Sequence, residues 1–85
     1  MNPDYLNTLH RILNATDGAH YVYRDADREL LYVWHGGASV NVYSTHNGKC
    51  VDCFTHTKES TRDNPNGYLT RAEMHASIVE TIDAD

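Results

Sequence analysis

The chain of 85 residues is poor in the residue types that usually betray a chemistry. It has two cysteines, two prolines, one tryptophan and one phenylalanine. No apolar run approaches the roughly 20 residues that a membrane-spanning helix needs. The opening Met1-Asn2-Pro3-Asp4 is not a cationic stretch followed by an apolar one, so no secretory leader is read there. Few cysteines and no export signal point to a reducing, cytoplasmic setting. Basic residues number only 7 against 12 acidic ones, for a net charge of −5. That balance disfavours nucleic acid and anionic membrane as partners, since both call for a basic surface. No Ser/His/Asp arrangement, paired carboxylates in a cleft or glycine-rich phosphate loop can be placed. The chain is therefore read as a non-enzyme without a cofactor.

What is present is ordinary globular material: 40% hydrophobic and 22% charged residues. Residues 1–85 are expected to form one domain. The predicted fold class is α+β: an N-terminal helix, a four-stranded antiparallel meander in the order 1-2-3-4, and a C-terminal helix. Asn2 as cap, Pro3 at the first helical position and Asp4 in the first turn mark the start of the first helix. Tyr5, Leu6, Leu9, Ile12 and Leu13 form its apolar stripe, and Asp17-Gly18 ends it.

Between Tyr21 and His56 the expected sheet rests on three turns. Two-residue loops at Gly36-Gly37 and Asn47-Gly48 suit tight hairpins. They set Val33 opposite Val40, Leu31 opposite Val42, Val42 opposite Cys53 and Ser44 opposite Val51. A four-residue loop from Asp25 to Arg28 sets Arg24 opposite Glu29, Val22 opposite Leu31 and Tyr21 opposite Tyr32. In this register one face is aliphatic. The other is aromatic and gathers Tyr21, Tyr23, Leu30, Tyr32, Trp34, Tyr43 and Phe54.

The C-terminal helix has the strongest local signal. Thr70-Arg71-Ala72-Glu73 spells a capping box, Leu69 and Met74 a hydrophobic staple, and Met74, Ile78 and Ile82 a buried stripe. Ahead of it, Asn64-Pro65-Asn66-Gly67 reads as a turn within a polar connection.

Three candidate sites follow. The aromatic face must be covered, either by one helix of the chain or by another protein if both helices take the aliphatic side. Its tyrosines and Trp34 suit a protein interface, with a second copy or a host protein as partner. It carries no Lys or Arg for phosphates, so nucleic acid is not expected there. Cys50 and Cys53 resemble half a zinc site, but three apart in a regular strand they would face opposite ways. His20 and His35 fall at one end of the sheet, where His75 or His10 could approach them to make a metal cluster.

The expected function is a small non-enzymatic protein-interaction module that uses the aromatic face. The alternatives are a histidine-based metal-binding protein and a structural domain. Small acidic chains of this kind occur among phage and mobile-element accessory proteins, a likeness of type only.

Overall fold

Alternating apolar side chains between two helices produce the expected architecture. The computed structural model describes residues 3–84. Its elements run α1 (Pro3–Thr16), β1 (Tyr21–Asp25), β2 (Leu30–Trp34), β3 (Ser39–Ser44), β4 (Cys50–Thr55) and α2 (Arg71–Asp83). The strands form one antiparallel sheet in the order β1-β2-β3-β4. Gly18, at φ 69°, follows the first helix in the left-handed conformation expected of it. The Asn2 cap lies outside the described residues.

The register differs from the expectation at every hairpin, with unequal consequences. Between β1 and β2 the loop is again four residues long but starts one residue later, so Val22 faces Val33 and Tyr23 faces Tyr32. A shift of this parity leaves every side chain on its expected face. Between β2 and β3 the last pair, Trp34 with Val40, encloses five residues, and Val33 faces Asn41. That one-residue slip turns β3 over, so Val40 and Val42 join Tyr32 and Trp34, whereas Tyr43 joins Leu31 and Val33 on the other side. Of the seven residues expected on the aromatic face Tyr43 alone leaves it, while Val40 and Val42 enter it.

Packing explains why this register is preferred. The Trp34 indole Nε1 donates to the Gly37 carbonyl at 2.8 Å, which closes the longer loop from inside. Large rings on β2 then lie beside small valines on β3, leaving a trough that Met74 and Ile78 of α2 fill. Val40, Met74 and Ile78 are completely buried.

The hairpin between β3 and β4 contains Asn47-Gly48 but is also longer than two residues. Gly48 N donates to Ser44 O at 2.7 Å and Ser44 N to Lys49 O at 2.9 Å. A bulge follows, so that Tyr43 faces Cys50 but Val42 faces Asp52 and Val40 faces Phe54. The second slip cancels the first for the end of β4. Phe54 therefore shares the face of Trp34, as expected, although β3 between them is inverted.

The two helices take one face each. α2 covers the face of Tyr32, Trp34, Val40 and Val42, with Leu69 and partly buried Tyr21, Tyr23, Leu30, Phe54 and Ile82 completing the cluster. Its capping box is complete: Glu73 N donates to Thr70 Oγ1 at 3.2 Å and Thr70 N to Glu73 Oε1 at 2.8 Å. The connection before it is pinned rather than loose. Gly67 N donates to Asn64 O at 3.1 Å, closing the expected turn, and Lys58 N donates to Gly67 O at 2.8 Å. Gly67 has φ +66°, and a Cβ there would lie 2.1 Å from the Lys58 carbonyl oxygen, so only glycine fits.

Candidate interaction surface

The residues expected to bind a partner are mostly core. Trp34 is 3% exposed and Tyr32 4%, both beneath α2. Tyr21, Tyr23, Leu30 and Phe54 are partly buried against the same cluster, while Tyr43 lies on the opposite face. The rings meet edge to face, Tyr23 on Tyr32 and Tyr32 on Phe54 at centroid distances of 6.4 Å. The premise that this face lies bare does not hold, because α2 occupies it.

The rim of that core is polar and tied to α2. The Tyr21 hydroxyl hydrogen-bonds His75 Nδ1, and the Arg71 guanidinium lies 5.8 Å from the Tyr21 ring centroid. Burial pushes the Tyr21 hydroxyl pKa up, neighbouring Tyr23 adds to this, and Arg71 opposes it. On the far edge His56 Nδ1 hydrogen-bonds the buried Ser77 hydroxyl. At the start of α2, Glu73 is held at a pKa of about 2 by the Lys58 ammonium and by the Thr70 amide and hydroxyl. Lys58 Nζ reaches Glu73 Oε1 at 2.7 Å.

The histidines proposed as a cluster do separate work. His20 packs edge-on against Trp34 at 5.7 Å, His35 Nε2 donates to the Ala15 carbonyl at 3.1 Å, and His75 serves Tyr21. Among the described residues no group of three or more His, Cys, Asp or Glu side chains could hold a metal ion. The cysteine expectation is corrected. The bulge pairs Cys50 with Tyr43 and Cys53 with Asn41, two positions on one face, so the two cysteines share a face instead of opposing each other. A bulge in β4 is what the regular-strand argument left out.

The surface that stands open is on α1. Its stripe is read correctly from the sequence, yet the helix buries none of its residues. Leu13 is 65% exposed and Tyr5 56%, and Leu6 and Leu9 are exposed as well. The reason is rotational. α1 touches the β3–β4 turn through its other side: a Cβ on Gly48 would lie 2.8 Å from Arg11 Cβ and 2.9 Å from the Thr8 carbonyl oxygen. Arg11 Nη1 donates to Asn47 O at 2.9 Å, and the His35 bond to Ala15 holds the far end. Thr8, Arg11 and Ala15 thus set the helix on the sheet. At 100° per residue the stripe points sideways, only Ile12 of it being half-buried. Tyr5, Leu9 and Ile12 line a shallow open concavity with Thr45 and His46. Sequence reasoning found these residues but assumed that an apolar stripe faces its own core.

No family model, curated protein or solved structure matches the chain. Among the described residues no helix is long and apolar enough to cross a membrane.

Proposed function

We propose that this protein is a small non-enzymatic interaction module that self-associates through the apolar stripe of α1. The observation that carries the reading is that Tyr5, Leu6, Leu9 and Leu13 stay exposed on a helix that buries none of its residues. Together they leave on the order of 400 Å² of apolar surface open, within the range of the largest patch on a monomer. Two such strips with their polar margins remove roughly 1,000 Å², the lower limit for a specific interface. A second copy suits the stripe because none of its side chains is charged. Charge enters only at the margin, where Asp4 lines the concavity beside Tyr5 and Leu9, and a two-fold antiparallel helix pair also opposes the helix dipoles.

An interface this size gives a reversible dimer, with a Kd of roughly 1 µM to 1 mM or about 4–8 kcal/mol. Sedimentation equilibrium over that concentration range should show a monomer–dimer transition. Leu9→Ser with Leu13→Ser should abolish it while the circular dichroism spectrum stays that of a folded chain. A monomer at every concentration overturns self-association, and capture of a different protein on the same leucines would move the reading to a foreign partner.

A further inference from the structure

The bulge in β4 brings two cysteines to one face. We infer that Cys50 and Cys53 form a two-thiolate site for a soft monovalent cation, with Cu⁺ as the fitting ion. Both side chains are exposed. The register sets them opposite Tyr43 and Asn41, alternate residues of β3, so they occupy neighbouring same-face positions with Val51 as the extra residue of the bulge. The Cys50 thiol donates to the Asp52 carbonyl at 3.4 Å, and so leans along the strand toward the peptide that precedes Cys53. Cys53 N is fixed by the Asp52 carboxylate at 2.8 Å.

Spacing selects the ligand. Their partners Tyr43 and Asn41 are same-face neighbours, roughly 6.7 Å apart on a regular strand, and the extra residue of the bulge gives the two cysteines at least that spacing. A disulfide needs Cβ atoms about 3.8 Å apart, so this pair is too wide to close on itself. A linear sulfur–metal–sulfur unit with bonds of about 2.3 Å spans roughly 4.5 Å, which two side chains leaning about 1 Å toward each other provide. Zn²⁺ asks for four converging ligands, and among the described residues no third His, Cys, Asp or Glu joins the pair. Soft thiolates favour Cu⁺, which two ligands satisfy. Binding replaces two S–H protons by one ion: two thiols and Cu⁺ give a bis-thiolate complex of net charge −1 and release two protons, with no change of oxidation state.

The test is an anaerobic titration of the reduced protein against Cu⁺ held by a coloured chelator. The wild type should withdraw one ion per chain, and Cys50→Ser or Cys53→Ser should each lose this. Affinity should rise about 100-fold per pH unit while both thiols are protonated. Asp52→Cys combined with Cys53→Ser keeps two nearby thiols but moves one to the face of Val42, and it should fail to bind. Undiminished binding by either single variant overturns the site. So does binding by the relocated pair, one ion per two chains with a doubled mass, or no withdrawal by the wild type. The single substitutions fall on exposed side chains, so a misfolded relocated variant leaves the decision with them.

Discussion

α1 and α2 have nearly equal lengths and opposite relations to the same sheet. α2 sends Met74 and Ile78 to complete burial, is closed by a capping box, and is tied down at both flanks by His56–Ser77 and Tyr21–His75. α1 has the cleaner apolar stripe, and none of its residues is fully buried. Amphipathicity therefore reports that a helix has a face to cover, and not that its own chain covers it. What decides the outcome here is the sheet. The α2 side offers a trough between rings and valines. The α1 side offers Leu31 and Val33 flanked by Asn41 and Tyr43, and α1 meets it through Thr8, Arg11 and Ala15, on Gly48 and His35.

The contrast can be broken first where it is strongest. Trp34→Ala should cost about 3–5 kcal/mol of folding stability in chemical denaturation, because the ring lies under α2. A loss below 1 kcal/mol would mean that α2 is not the cover. Gly67→Ala should follow, at about 1–3 kcal/mol, since the added Cβ meets the Lys58 carbonyl and the backbone is left-handed. Thr70→Ala should cost about 0.5–2 kcal/mol through the lost cap, and an unchanged denaturation midpoint would displace the start of α2.

Acid should act on the same end of α2. Glu73 titrates at about 2 when folded against 4.5 in the unfolded chain. Its contribution is complete above pH 4.5 and is lost as pH falls from there toward 2. Glu73→Gln should flatten the stability–pH curve in that window; a variant whose acid slope matches the wild type would separate Glu73 from acid unfolding. The smallest expected effect belongs to α1. Leu13→Ala should change stability by less than about 0.5 kcal/mol, as exposed positions do. A cost above 2 kcal/mol would place Leu13 in the fold.

Local chemistry was well written into the sequence. Thr70 to Glu73, Gly18, the turn from Asn64 to Gly67 and the strand order all follow from short-range rules, and the structure has them. Register was not. Gly36-Gly37 is compatible with loops of two or five residues, and the choice depends on whether Val40 and Val42 are worth more under α2 than opposite it. That is a packing question between residues some 30–40 positions apart, and no dipeptide encodes it. The bulge at Cys50 follows from the same cause, since the longer loops on either side of β3 had to be reconciled with Phe54 beneath α2. The expected aromatic face was thus nearly correct in membership, with Tyr43 the exception. Its covering was misjudged because the two helices were not told apart.

The central claim, that α2 holds the fold while α1 waits for a second copy, is tested most directly by native-state hydrogen exchange at two protein concentrations. The α1 amides should exchange through local opening at low concentration and gain protection as the protein is concentrated. Amides of α2 should exchange slowly and alike at both concentrations. Equal, concentration-independent protection of the two helices would contradict the claim.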